Sequence, residues 1–214
     1  MSKLGIFGGT FDPIHYGHLK IAQNALETYD LRGVLWIPQL APFYKDSVTP
    51  IAQRWAMVEL AIAPYPYFSL PTTLEIWQDK HPRTPDYAID TFCCLQELYP
   101  GSTWFWILGA DSFLTLPKWQ GREVLIPACT WLVAARNLPN SEELQAQLQQ
   151  VAIELQSQGI NIIGELLPRE AIDISSSLVR QTRQTHQSLD HLLPAIVEKY
   201  ITEHDLYSSD LAGD

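Results

Sequence analysis

Leu4, Ile6 and Phe7 form a short apolar run that stops at Gly8-Gly9, and beyond it Leu19, Ala22, Ala25, Leu26 and Tyr29 recur at helical spacing. The pattern predicts a buried strand, a tight turn and a helix that opens near Tyr16-Gly17. Val34-Leu35-Trp36-Ile37, closed by Pro38, predicts a second buried strand. Strand, helix, strand is the opening of a parallel α/β sheet with right-handed crossovers. Ile51, Trp55, Val58 and Ile62 predict a helix over residues 52–63 with Trp55 in the core. Residues 68–74 read as a third, weaker strand, and residues 78–85 as a polar loop bounded by proline. Asp86 is placed to cap a helix whose stripe is Ala88, Phe92, Leu95 and Tyr99, broadened by Ile89 and Cys93, so that Cys93 reads as a small core residue. The most hydrophobic run, residues 103–108 (TWFWIL), predicts a central strand buried on both faces. Residues 131–135 read as a further strand and residues 160–163 as a short one. Between them, Asn140 with Glu143 resembles a capping box ahead of the stripe Leu144, Leu148, Val151 and Leu155. A last helix starts at Pro194 and runs through Tyr200, and the acidic tail from Ser208 is expected to fray. No internal repeat or low-complexity segment interrupts the series.

Composition narrows the picture. The chain has 214 residues with 46% hydrophobic content, enough for one sizeable core and short for two domains, so residues 1–207 are expected to form one domain. A net charge of −10 argues against broad binding to a nucleic-acid backbone, which needs clustered Lys and Arg. Three cysteines, two of them adjacent at Cys93-Cys94, suit neither a disulfide framework nor a zinc quartet. The first strand follows Met-Ser-Lys directly, and no apolar run reaches membrane-spanning length. A soluble, cytoplasmic protein is the expectation.

The chemistry concentrates between Gly5 and Leu19. Gly8-Gly9 allow a sharp turn and close approach to a ligand, and a helix opening beyond them offers backbone N–H groups and a positive dipole end to an anion. His15 and His18 are three apart, so both imidazoles can point to one spot above the turn, with the Thr10 hydroxyl on the approach. Neither G-x-G-x-x-G nor G-x-x-x-x-G-K-[ST] is present, so this is a different phosphate loop from the two commonest. Asp111, just beyond the central strand, lies where open α/β sheets bind ligands and can accept from ribose hydroxyls; it can also cap the helix that follows. Ser175, Ser176 and Ser177 precede a second helix opening, with Arg180 one turn beyond Ser176 and able to offer a forked donor to phosphate oxygens.

Gly8 to Leu19, GGTFDPIHYGHL, resembles the signature of the nucleotidylyltransferase superfamily, and Ile174 to Arg180, ISSSLVR, resembles its second signature, I-S-S-T-x-I-R. Within the superfamily the chain looks most like the bacterial nicotinate mononucleotide adenylyltransferases, over nearly its full length. The resemblance implies a Rossmann-like open parallel sheet with helices on both faces. It also implies an ATP site made by Gly8, Gly9, Thr10, Phe11, His15, His18, Gly109, Asp111, Ile174, Ser175, Ser176 and Arg180. Substrate-binding residues by the same resemblance are Lys45, the backbone at Tyr87-Ala88, Trp119 and Arg136. For Trp119 core packing and stacking on a flat pyridine stand side by side. The chain departs from the family pattern at Phe43-Tyr44, where Pro and His are usual, at Asp86-Tyr87-Ala88 in place of Ser-Tyr-Thr, and at Asn137-Leu138-Pro139 after Arg136.

The implied reaction joins ATP to nicotinate mononucleotide, giving nicotinate adenine dinucleotide and pyrophosphate. In-line attack on the α-phosphorus needs no protein nucleophile, only positioning and charge neutralisation. His18 and Thr10 are expected at the α-phosphate, His15 and Lys45 at its neighbours, and Ser176 with Arg180 at the leaving pyrophosphate. Magnesium is expected to arrive on the nucleotide, without a carboxylate cage of its own. The alternatives are the same chemistry on nicotinamide mononucleotide or another acceptor phosphate, and a non-catalytic nucleotide-binding protein. A dehydrogenase lacks its glycine fingerprint. The sequence leaves open the oligomeric state and the choice between carboxylate and amide.

Overall fold

The computed structural model describes residues 2–41, 48–81, 87–135, 141–168 and 174–208. Among the described residues the strands are β1 (Lys3–Gly9), β2 (Gly33–Pro38), β3 (Phe68–Ser69), β4 (Thr103–Gly109), β5 (Cys129–Ala134) and β6 (Ile163–Leu166), paired in parallel in the order β3-β2-β1-β4-β5-β6. The helices are α1 (Tyr16–Thr28), α2 (Ile51–Ile62), α3 (Leu74–Lys80), α4 (Ala88–Leu98), α5 (Ala110–Phe113), α6 (Arg122–Ala128), α7 (Ser141–Ser157), α8 (Ser176–Gln184) and α9 (Ala195–Glu203). The strand order reverses between β1 and β4, where Phe7 lies beside Ile107, and crevices at such points outside the strands' carboxyl ends are where open α/β sheets bind ligands.

Side chains of the buried strands alternate between two cores. On one face Phe7, Trp36, Phe105 and Ile107 pack with Leu19 and Ala22 of α1, Met57 and Val58 of α2, Val179 of α8 and Val197 of α9. On the other, Ile6, Leu35, Trp106 and Trp131 pack with Trp77 of α3, Phe92 and Leu95 of α4, Leu125 of α6 and Leu144 and Val151 of α7. Helices therefore cover both faces of a Rossmann-like sheet, as the sequence pattern and the resemblance led us to expect.

The differences are local. The third strand is two residues long, and residues 74–80, read as strand end and loop, form α3, whose Trp77 is fully buried. One buried Trp in a polar stretch gives too little periodicity to mark a helix. Helix α6 also goes unmarked in the pattern, because Pro127 sits inside it and Gly121 precedes it at φ +68°. The last strand is shifted to Ile163–Leu166, leaving Ile160 buried ahead of it. Cys93 is exposed, and it is Cys94 that turns into the core with Thr91 and Leu95. Asp86 and Asn140, read as helix caps, and residues 209–214 of the tail lie outside the described residues. Ser208 is described, and its hydroxyl donates to Asp205 O at 3.2 Å.

Candidate functional site: the first turn and its supports

β1 ends on Gly8-Gly9, both partly open at the carboxyl end of the sheet, and the chain turns through Phe11, at φ 49°, and the cis Asp12-Pro13 bond into His15, the cap of α1. The imidazoles of His15 and His18 stack with centroids 3.7 Å apart, and the His15 backbone N–H donates to His18 Nδ1 at 3.3 Å. A neutral His18 that accepts at Nδ1 carries its proton on Nε2, which is then the ring's donor. Phe11 meets His18 edge-on at 5.0 Å and Phe7 does so at 6.1 Å, so apolar rings fix the His18 plane. Gly17 is required beneath them: a Cβ there would lie 3.0 Å from His15 Cε1 and Nδ1 and 3.4 Å from Ile174 O.

The expected free backbone donors at the mouth of α1 need correction. Tyr16 N–H donates to Leu192 O at 2.9 Å and His18 N–H to His15 O at 2.9 Å, so these groups are used within the chain. The helix dipole remains, with the His15 and His18 side chains at its mouth.

The second motif closes on the first. Ser175 caps α8 by accepting from Leu178 N–H at 3.1 Å, Ser176 Oγ donates to Pro13 O at 2.9 Å, and Arg180 Nη1 donates to Asp12 O at 2.7 Å. Arg180 Nη2 also donates to Ser177 Oγ at 3.3 Å. Ile174, partly buried, reaches Gly17 through its carbonyl. The two signatures, some 160 residues apart in sequence, are thus hydrogen-bonded neighbours.

Across the crevice, Gly109 caps α5 at the end of β4, and a Cβ on it would meet nothing within 4 Å. Asp111 lies exposed in the first turn of α5, so the capping position belongs to Gly109. The indole of Trp119 is partly buried, edge-on to Trp106 at 6.2 Å and to Trp131 at 5.9 Å, and its Nε1 donates to Thr115 Oγ1 at 2.9 Å. Tyr87 caps α4 and Ala88 begins it, both partly buried. Lys45, Arg136 and the departures at Phe43-Tyr44 and 137–139 lie outside the described residues.

Arg54 and Tyr207, to which the sequence pattern assigned no role, hold the turn from below through Thr10, Gln39 and Asp12. Arg54 of α2, fully buried, donates to Thr10 O, Thr49 O and Gln39 O, each at 2.7 Å. Thr10 Oγ1 in turn donates to Gln39 Oε1 at 3.3 Å, and Gln39 N–H donates to Gly9 O at 3.0 Å. Asp12 Oδ1 accepts from the Tyr207 hydroxyl at 2.5 Å and Oδ2 from Thr49 N–H at 3.3 Å. Burial, with the Asp12 carboxylate behind it, pushes the Tyr207 phenol far above its ordinary range and keeps it a donor. Arg54 had a sequence signal: it stands three residues after Ile51 and four before Val58, a charged residue inside an apolar stripe.

The arrangement is a set of imidazole, hydroxyl and guanidinium donors around one turn, at the point where the strand order reverses. Such a set suits the oxygens of a phosphate chain.

The cytidylyltransferase-like family model matches residues 6–182. A protein of Trichormus variabilis named "Probable nicotinate-nucleotide adenylyltransferase" is 38% identical over 212 residues, spanning 98% of this chain and 99% of that one. One of the same name from Geobacter sulfurreducens is 35% identical over 222 residues, spanning 97% and 99%. Among solved structures, Plasmodium falciparum nicotinic acid mononucleotide adenylyltransferase complexed with NaAD superposes with a TM-score of 0.72 at 19% identity, covering 99% of this chain and 100% of that one, a likeness of fold.

Proposed function

Because the chain belongs to the cytidylyltransferase-like family, in its nicotinate-nucleotide adenylyltransferase branch, we propose that it transfers the adenylyl group of ATP to nicotinate mononucleotide in NAD biosynthesis. The products are nicotinate adenine dinucleotide and pyrophosphate. The observation that carries the reading is the bonding of the second motif onto the first, Ser176 to Pro13 and Arg180 to Asp12, which gathers the donors of both around one turn.

The nicotinate nucleotide's phosphate oxygen attacks the α-phosphorus of ATP as the bond to the bridging oxygen of pyrophosphate breaks. His18 Nε2–H stabilises the negative charge that gathers on the α-phosphate oxygens, and the Thr10 hydroxyl would join it by turning from Gln39 Oε1. His15, expected beside a neighbouring phosphate, is fully buried and instead backs His18, its backbone N–H holding His18 Nδ1, while Lys45 would add charge to the neighbouring phosphates. Arg180 takes the leaving pyrophosphate, which Ser176 would join by turning its hydroxyl from Pro13 O, with Ser175 holding the helix end that carries them. Gly8 and Gly9 let the nucleotide approach the turn, and Phe11 walls it. Gly109 leaves room beside the adenosine, whose ribose hydroxyls Asp111 can accept from, and Ile174 closes the phosphate side. Tyr87 and Ala88 would line the pyridine site, with the Trp119 ring as its flat wall and Arg136 as a contact.

The donors around the turn match phosphate oxygens, and both Asp12 oxygens already accept hydrogen bonds, so Mg²⁺ would be held chiefly by the nucleotide's own phosphates. When bound it supplies further neutralisation of the transferring charge. The reading takes small-molecule substrates in the cytoplasm; no helix among the described residues is long and apolar enough to cross a membrane. Residues 1–207 are read as one catalytic unit.

The test is pyrophosphate release from ATP and Mg²⁺ with nicotinate mononucleotide, nicotinamide mononucleotide or phosphopantetheine as acceptor, in wild type and His18→Ala. Turnover with the nicotinate form, lost in the variant, is the expected result. Turnover with another acceptor keeps the chemistry and moves the substrate. Silence with all three, despite ATP binding, overturns the reading.

A further inference from the structure

After α9 the chain returns to the first motif. Tyr207 adopts φ 58°, its ring joins the core that holds Phe11 and Ile14, and its hydroxyl bonds Asp12 Oδ1 across 195 residues of sequence. Asp12 is 5% exposed. A buried carboxylate beside a phosphate site repels what the site must hold unless fixed donors engage its charge, and two such donors are Tyr207 OH and Thr49 N–H. Asp12 is also the joint of the turn. Its carbonyl takes Arg180, the next carbonyl takes Ser176, and the chain reaches His15 three residues on. A shift of Asp12 therefore moves the histidine pair and the guanidinium together.

We propose that Tyr207 is a positioning residue for adenylyl transfer, holding Asp12 so that His18 and Arg180 face one phosphate chain. The proposal rests on the function read above. Tyr207 touches no reacting atom; it acts through Asp12. Because Tyr207 lies just beyond α9, the reaction geometry is complete only when the segment after α9 has docked.

Tyr207→Phe removes one oxygen and leaves the ring in the core. In folded protein it should lower kcat by about tenfold or more while the KM for nicotinate mononucleotide, whose pyridine end is held away from the turn, changes little. Tyr207→Phe combined with Asp12→Asn should be no slower than Asp12→Asn alone, because both changes break one link. The ring signals of His15 and His18, followed by NMR in histidine-labelled protein, should move, and that of His81 should not. Unchanged kcat with unmoved His15 and His18 signals, or losses that multiply in the double variant, would overturn the proposal. A wild type without adenylyl transfer would refute the functional reading instead, and the ring signals would then decide the positioning alone. If Tyr207→Phe does not fold, Asp12→Asn carries the same ring-signal test, with the same outcomes.

Discussion

The rings of His15 and His18 lie one on the other, 28° from parallel, with the His15 backbone N–H bonded to His18 Nδ1. The bond sets the tautomer of a neutral His18: Nδ1 accepts, and Nε2 carries the proton. His18→Ala should cost about 10²–10³ in kcat, the usual loss for one transition-state donor. His18→Gln, whose amide can reach the Nε2 position, should recover part of it. His18→Asn, whose amide reaches only the Nδ1 position, should not. Steady-state pyrophosphate release on the three variants decides.

Gly17 offers a second handle on the same pair. An alanine gains about 1 kcal/mol of helix propensity, but its Cβ would stand 3.0 Å from the His15 ring, an overlap costing about 1–3 kcal/mol. The two nearly cancel. Gly17→Ala should therefore unfold close to wild type in urea while its turnover falls about 10²-fold, since the displaced ring carries His18 with it. At Gly109 a Cβ would meet nothing within 4 Å, so Gly109→Ala should keep its stability and weaken ATP binding, seen by calorimetry.

The contrast shows which parts of the molecule a sequence can state. β1, β2, β4 and β5 are apolar runs buried on both faces, and α1, α2 and α7 carry long stripes, so their periodicity marks them. The histidine pair and the Ser-Arg motif are local spacings and are legible for the same reason. Asp12, Arg54 and Tyr207 are different in kind. Thr49 and Tyr207 reach Asp12 across 37 and 195 residues and Arg54 reaches Thr10 O across 44, and no local pattern encodes such a pairing. Helix α3 hid because its buried face amounts to one Trp.

Arg54 should prove to be a stability residue first. Its guanidinium satisfies three carbonyls at 2.7 Å in a site closed to solvent. Arg54→Met leaves those carbonyls without that donor, at about 1–3 kcal/mol for each, so a loss of about 3 kcal/mol or more is expected in urea unfolding. Arg54→Lys should recover little, because one ammonium cannot reproduce the fork that spans Thr10, Gln39 and Thr49.

Alkaline pH should loosen α1 at its far end. Tyr29, the C-terminal cap of α1, donates its hydroxyl to Glu165 of β6 at 2.9 Å, and burial, then the bond to Glu165 and its charge, push the phenol from 10.0 up to about 12. In the unfolded chain Tyr29 loses its proton near pH 10, whereas the folded protein holds it to about 12, so the folded state binds more protons in this window. The contribution is therefore complete below pH 10 and is lost as pH rises through 12. Solvent at this partly open site reduces it to about 1 kcal/mol. Urea unfolding across that range should show the loss in wild type, and Tyr29→Phe should lack that component. Ultraviolet tyrosinate absorbance should show the same late titration. A wild-type curve parallel to that of Tyr29→Phe would mean that the bond to Glu165 does not tie α1 to the sheet edge.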